Sequence, residues 1–314
     1  METLLDVYLS SPRGFCAGVV RAVDIVEIAI ERFGAPVYVK HQIVHNPHVV
    51  KALEDKGAVT VEDVDDIPEG SNVVFSAHGS APDDFEKARV RNLNIVDATC
   101  PLVTRVHNEA KKYRREGKKV ILVGHRGHQE VVGTMGEAPE AMLLVESPED
   151  VDQLQVADES KVAYLTQTTL SVDDANRIIR CLENRFPQIQ APPKADICYA
   201  TQNRQETVHR LTDESDVVLV LGSQNSSNSQ RLRELALERN VPAYLIDGAS
   251  DIDLGWFAGD ETVLVTAGAS APESVVQGCI EFLEEHFNAT VELRSIREEE
   301  VHFPLPKELR SIPS

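Results

Sequence analysis

Three cysteines carry the strongest chemical signal in this sequence. Cys16 follows a short apolar run at Asp6–Leu9, Cys100 follows Asn94–Val96, and Cys198 follows Asp196-Ile197, which reads as the end of another strand. After each a helix-like stretch begins, with an arginine nearby: Arg21, Arg105 and Arg204. A thiol at a helix start is favoured as the thiolate, the form that binds metals. Three such thiols without a fourth equivalent suit two kinds of site. One is a zinc ion with a water or a non-cysteine group in its fourth position. The other is an iron–sulfur cluster with three protein-held irons and one open iron. None of the three lies in a CxxC pair, so packing of three small apolar side chains also accounts for them. Cys181 and Cys279 sit inside helical apolar patterns and belong to the core on that reading.

A second set of residues suits an anion. His45, His78 and His128 each follow a strand run, beside Asn46, Gly79 and Gly127. Imidazoles, hydroxyls and backbone N–H groups at helix starts make a cradle for a diphosphate. Ser226, Asn228 and Ser270 would add neutral donors. There is no Walker A motif, and no GxGxxG follows a strand, so a nucleotide-type phosphate loop is not supported. Glu130, two residues after His128, is a candidate acid. Closed in near phosphate, its carboxyl would hold its proton more tightly and could deliver it near neutral pH. The Thr168 hydroxyl could relay that proton.

The elements that must position these groups read as alternating strands and helices. Apolar runs at Pro36–Val39, Val73–Ser76, Val120–Val123, Val162–Leu165, Val217–Leu221 and Val263–Val265 lack polar alternation, as expected for parallel strands covered on both faces. Thr104–Glu116 and Asp173–Phe186 have helical periodicity. Strand–helix alternation of this kind predicts an α/β fold with small, mostly parallel sheets. The polar loops repeat too: His41–Asn46, His125–His128 and Ser223–Asn228 form one set, and Ser76–Ser80, Thr166–Thr169 and Thr266–Ser270 another. Ligands bind beyond the carboxyl ends of strands in such sheets, so three pseudo-repeated units, each with one cysteine loop and two polar loops, point to a shared central site. The expected boundaries are 16–99, 100–196 and 197–285, the last completed by the N-terminal strand in 1–15. Residues 286–314 read as a proline-dotted, charged tail that wraps the surface or covers the site.

Composition narrows the partners. The 314 residues carry 31 Lys and Arg against 51 Asp and Glu, a net charge of −20. That lacks the electrostatic footprint of a general nucleic-acid binder and disfavours an anionic membrane surface. No apolar run reaches the roughly 20 residues of a transmembrane helix, and the start has no basic n-region or apolar h-region. A cytoplasmic location is expected. Five cysteines are too few, and odd in number, for a secreted disulfide framework.

These motifs together resemble one family. Pro12-Arg13-Gly14-Phe15-Cys16-Ala17-Gly18, Ile43-Val44-His45-Asn46, Ser76-Ala77-His78-Gly79, Asp97-Ala98-Thr99-Cys100-Pro101, Gly127-His128-Gln129-Glu130 with Gly133-Thr134-Met135-Gly136, Thr166 through Ser171, Ser223 through Ser229 and Ala269-Ser270-Ala271-Pro272 occur in that order. Over essentially the whole chain they resemble the 4-hydroxy-3-methylbut-2-enyl diphosphate reductases, which end the non-mevalonate isoprenoid pathway. The resemblance implies a trefoil of three α/β units around one 4Fe-4S cluster held by Cys16, Cys100 and Cys198. It implies diphosphate binding by His45, His78, His128, Ser226, Asn228 and Ser270 with Ser227 nearby, Glu130 as the proton source, and Thr168 assisting. It implies reduction of the allylic alcohol to isopentenyl and dimethylallyl diphosphate, with ferredoxin or flavodoxin as electron donor. Docking an acidic carrier on so acidic a chain calls for a local basic patch near the cluster, including part of Lys111–Arg115. The rivals on the same residues are a zinc hydrolase of a phosphorylated metabolite and a non-catalytic iron–sulfur sensor.

Overall fold

The computed structural model describes residues 4–310. The chain opens with β1 (Asp6–Ser11) and α1 (Ala17–Phe33). It continues through β2 (Val37–Lys40), α2 (Pro47–Glu54), β3 (Ala58–Val61), β4 (Asn72–Phe75), α3 (Pro82–Val90), β5 (Asn94–Asp97) and α4 (Pro101–Arg115). Next come β6 (Lys119–Val123), α5 (Gln129–Gly136), β7 (Met142–Val145), α6 (Pro148–Gln153), β8 (Val162–Thr166), α7 (Val172–Arg185) and α8 (Tyr199–Leu211). The last stretch holds β9 (Val217–Leu221), α9 (Ser227–Leu237), β10 (Ala243–Ile246), β11 (Thr262–Ala267), α10 (Glu273–Phe287) and β12 (Thr290–Ser295).

Three sheets result, with orders β3-β2-β4-β5, β7-β6-β8 and β10-β9-β11-β1-β12. Every pairing between these strands is parallel. The winding is the same each time: the first strand of a set lies between its second and third. β5 takes the fourth place in one sheet, and β1 takes it in another. The third sheet fills that place with an isolated parallel bridge from Gln190 to Ala163. The expected strand end at Asp196-Ile197 is therefore not a strand; those residues form a bend. Pro192 and Pro193 have no N–H to give a ladder. Instead the buried Asp196 carboxylate accepts from the Thr166 N–H at 3.0 Å, doing the work of a strand carbonyl.

The apolar runs lack alternation because two of these sheets are packed on both faces. Ile121, Val123 and Tyr164 meet α7 through Ala175, Ile178 and Leu182, while Val120, Leu122 and Ala163 meet α4 through Val106, Ala110 and Tyr113. In the largest sheet Val7, Leu219, Val263 and Val265 pack on α10 through Val276, Ile280 and Leu283. Val218, Val220 and Leu264 pack on Val208 of α8 and Leu232 of α9.

The segment after Phe287 is more than a wrapping tail. α10 ends at Asn288 in the left-handed region, φ 48°, and Thr290–Ser295 then runs parallel to β1 in register Asp6↔Thr290 to Ser11↔Ser295. Its charges hid it: Glu292 and Arg294 alternate with Val291 and Leu293 on an outer edge, and the Arg294 guanidinium lies 4.1 Å from the centre of the Tyr8 ring.

By contacts the chain divides into two compact units. One contains Met1–Val20, Val44–Ala52 and Tyr199–His302, with the five-stranded sheet. The other contains Arg21–Ile43, Leu53–Cys198 and Phe303–Ser314, with the other two sheets.

Candidate active site

All three cysteines occupy the same local position. The Cys16 carbonyl accepts the Val20 N–H at 3.0 Å as α1 begins, the Cys100 carbonyl accepts that of Thr104 at 2.9 Å as α4 begins, and Cys198 directly precedes α8. Their own N–H groups donate to Ala269 at 3.2 Å, Ala77 at 3.0 Å and Thr168 at 2.9 Å. Each acceptor lies two residues past the end of a third-place strand, β11, β4 and β8 respectively. One hydrogen-bond rule thus sets all three thiols at helix starts. None of the three is in a disulfide, and all three are partly exposed. Cys279 differs: it is fully buried in the core, and burial pushes its thiol up to about 12. Cys181 is partly buried against the core beneath α7.

Among the described residues, no group of three or more His, Cys, Asp or Glu is placed to hold a single metal ion. A four-iron cube makes a different demand, because each thiolate ligates its own iron. Three equivalent, partly exposed thiols at helix starts, none in a disulfide, fit that donor set and would leave one iron without a protein ligand.

The unit that carries Cys100 and Cys198 also carries the acid. Glu130 is 3% exposed. Its carboxylate accepts from the Thr168 N–H at 2.7 Å and from the Thr168 hydroxyl at 2.9 Å. Burial raises its pKa to about 7, against the pull of the two Thr168 hydrogen bonds and with a further push from the Asp196 charge. Since the Thr168 carbonyl accepts the Cys198 N–H, one threonine holds the acid with its donors and a thiol loop with its acceptor. His128 caps α5: its Nδ1 accepts the Glu130 N–H at 3.2 Å, which places the ring proton on Nε2 as a donor. The His78 ring meets the His128 ring edge-on, with centroids 6.0 Å apart. The turn after His78 passes through Gly79 at φ 79°, where a Cβ would lie 2.9 Å from the His107 ring.

The other unit carries Cys16 and the remaining polar loops. The Ser270 hydroxyl donates to the His45 carbonyl at 3.0 Å, and the neighbouring Ala269 carbonyl is the one that holds Cys16. Asn46 caps α2 by accepting the Val49 N–H at 3.2 Å. Ser226 caps α9, accepting from the Ser229 N–H at 3.4 Å and its hydroxyl at 3.0 Å. Ser227 is the first residue of α9. Asn228 is 5% exposed, yet neither its amide oxygen nor its nitrogen meets a partner. A buried amide with both ends open is costly unless a polar ligand completes it.

Sequence reasoning missed two groups here. Asp196 is buried, and desolvation raises its pKa to about 7. Its signal is its place two residues before Cys198, in the segment the sequence predicts as a strand end. His107 and Glu137 form a buried pair at 2.9 Å behind the Gly79 turn, with Lys111 3.3 Å from the same carboxylate. Burial pushes Glu137 up, but His107 and then Lys111 hold it below its ordinary value. The expected basic patch near the thiols is also corrected. Lys111–Arg115 forms the far end of α4, roughly 16–22 Å along the helix from Cys100 at 1.5 Å per residue. There Lys111 is paired with Glu137 and Lys112 with Glu116.

Repeated parallel strand–helix layers, each sheet leading to one thiol at a helix start, define an α/β protein with a three-thiol set and a buried acid. A family model described as LytB protein matches residues 7–284, and the chain belongs to that family. It is 57% identical to a protein of Rhodopirellula baltica named 4-hydroxy-3-methylbut-2-enyl diphosphate reductase, over 98% of this chain and 97% of the relative. It is 54% identical to one of the same name from an Azoarcus species, over 97% and 98%. A solved structure of the E-1-hydroxy-2-methyl-but-2-enyl-4-diphosphate reductase of Plasmodium falciparum superposes with a TM-score of 0.94 at 40% identity, covering 98% of this chain and 97% of that one. A second, of the terminal enzyme of the non-mevalonate pathway, gives 0.64 at 32% identity, covering 91% and 100%.

Proposed function

We infer that the chain is a 4-hydroxy-3-methylbut-2-enyl diphosphate reductase. It removes the allylic hydroxyl of (E)-4-hydroxy-3-methylbut-2-enyl diphosphate, consuming two electrons and two protons and releasing water with isopentenyl or dimethylallyl diphosphate. Relatives of that name, matching nearly end to end at more than half identity, support this reading over a zinc hydrolase or a sensor. The observation that carries the chemistry is the Glu130 carboxyl, oriented by two hydrogen bonds from Thr168 and raised toward neutrality by burial.

Cys16, Cys100 and Cys198 would each hold one iron of a 4Fe-4S cluster. When bound, that cluster supplies single electrons and an open iron acting as a Lewis acid. The remaining work falls to the chain. His45, His78, His128, Ser226, Ser227, Asn228 and Ser270 bind the diphosphate, with Asn228 supplying the open amide. Glu130 holds a proton that its burial keeps available near pH 7, and the Thr168 hydroxyl hands it on toward the departing oxygen. Ferredoxin or flavodoxin delivers the electrons, and the protein works in the cytoplasm. Units 16–99, 100–196 and 197–285, the last with 1–15, each contribute one thiol and two polar loops; the segment 286–314 follows them.

Anaerobic purification with iron and sulfide assays, followed by turnover with the allylic diphosphate and a reductant, tests the reading. About four irons per chain, lost in Cys100→Ser, with isoprenoid diphosphates as products, is the expected result. One tight zinc, or a cluster without turnover, overturns it.

A further inference from the structure

Arg21, Arg105 and Arg204 each serve a different cysteine from the one they follow in sequence. Arg21, just over a turn into α1 from Cys16, donates from Nη1 to the carbonyls of Ala98 and Thr99, both at 3.1 Å. Those are the two residues before Cys100. Arg105, at the same distance into α4 from Cys100, donates to the Ala195 carbonyl at 2.6 Å, three residues before Cys198, and lies 3.7 Å from Asp196. Arg204, on α8 beyond Cys198, donates from Nε at 3.2 Å and Nη2 at 2.7 Å to the Gly14 carbonyl, two residues before Cys16. The assignments run in a cycle: from 16 to 100, from 100 to 198, and from 198 to 16.

Two of these clamps are themselves held from behind. Arg21 is 8% exposed, and its Nε donates to Pro304 at 2.8 Å. Arg204 is 0% exposed, and its Nη1 pairs with Glu299 at 3.0 Å. The carbonyls they engage lie in irregular loops with no strand partner to donate to them, and a guanidinium fork can serve two acceptors at fixed geometry. Each cysteine is thus held on its own amide by a strand-end carbonyl and on the preceding loop by an arginine from another cysteine's helix.

We propose that Arg21, Arg105 and Arg204 are positioning residues that set the loops of Cys100, Cys198 and Cys16 respectively. This rests on the reading that those thiols hold one cluster. The residues act through backbone carbonyls and have no part in binding substrate.

The test uses anaerobic holoprotein challenged with an iron chelator in the presence of iodoacetamide, with peptide mass spectrometry to show which cysteine is alkylated first. Arg21→Met should free Cys100 at least about tenfold faster than the parent, since two hydrogen bonds to its loop are lost and one charge-assisted bond alone is worth about that factor. Arg105→Met should do the same for Cys198, and Arg204→Met for Cys16. Lysine variants keep the charge without the fork and should fall between parent and methionine variants. The partly exposed Arg105 provides a variant that tolerates substitution if the buried positions do not fold. The proposal is overturned if the cysteine on the arginine's own helix is freed first, if all three rise together, if rates do not change, or if lysine restores the parent rate. A parent whose three thiols are alkylated before any chelator is added overturns the cluster reading instead.

Discussion

Glu130→Gln is a nearly isosteric change whose effect on stability can be worked out from the acid's surroundings. The folded chain moves this carboxyl from an ordinary 4.5 to about 7, chiefly by burial. Between those two pH values the folded protein binds a proton that the unfolded chain has released, so stability falls as pH rises through that window. At about 1.4 kcal/mol per factor of ten, the parent should lose about 3 kcal/mol relative to Glu130→Gln between pH 4.5 and 7, and no more above it. The glutamine oxygen can still accept the Thr168 N–H, and its amide can donate to the Thr168 hydroxyl, so the packing is kept. Asp196 titrates in both proteins and largely cancels in the difference. Anaerobic urea unfolding of the two proteins at several pH values measures that difference directly. A gap that is flat with pH, or one that favours the parent as pH rises, would refute the assignment of a raised, burial-driven pKa. The same value places the falling limb of turnover near pH 7, and the glutamine variant should lose about 10²–10⁴-fold in rate with the iron content of the parent.

Three further outcomes follow from the same geometry. Thr168→Val removes the hydroxyl that stabilises the Glu130 carboxylate at 2.9 Å, so the falling limb should move up by about one pH unit while the peak rate drops; a limb that moves down contradicts the hydrogen-bond account. Asn228→Leu removes a buried amide that has no partner. Thermal denaturation should show the ligand-free protein gaining about 1–2 kcal/mol, while KM for the diphosphate rises at least tenfold; loss of stability with unchanged KM would count against a ligand role. Gly268→Ala drives a Cβ into the Ser229 hydroxyl and to 2.9 Å from the Asn228 nitrogen. It should cost about 1–3 kcal/mol, and adding Ser229→Ala should recover part of that in the same unfolding assay.

What was legible in the sequence was whatever depends on local pattern or on chemistry-bearing residue types. Val217–Leu221 and Val120–Val123 read as strands because both their faces are buried, so no polar residue interrupts them. The three cysteines stood out because each precedes a helix, a local feature. Glu130 was found through its nearness to His128, although its near-neutral pKa depends on burial beside a residue far along the chain. Non-local substitutions escaped. The Asp196 carboxylate stands in for a strand carbonyl, and no periodicity announces that. β12 is an edge strand whose charged Glu292 and Arg294 and exposed Leu293 mimic a solvated tail. The Lys111–Arg115 patch was misplaced because closeness in sequence to Cys100 becomes distance once the segment is a straight helix. The arginines were visible as near neighbours of cysteines, but the loops they hold, each before a different cysteine, were not.

The place of β1 bears on how the chain is made. It lies between β11 and β12, paired to both, so it is flanked by two strands that are made long after it. Thr262 follows Asp6 by about 250 residues, a delay on the order of 10–50 s at ordinary rates of synthesis. Throughout that interval an apolar strand with both edges unpaired must stay soluble, and the Cys16 loop that it leads into must wait with it. The loops of Cys100 and Cys198 have their strand-end acceptors, Ala77 and Thr168, already behind them in the nascent chain. The Cys16 loop, by contrast, gains its strand-end acceptor Ala269 only about 250 residues after it is made, so it is the last of the three thiol positions to be completed.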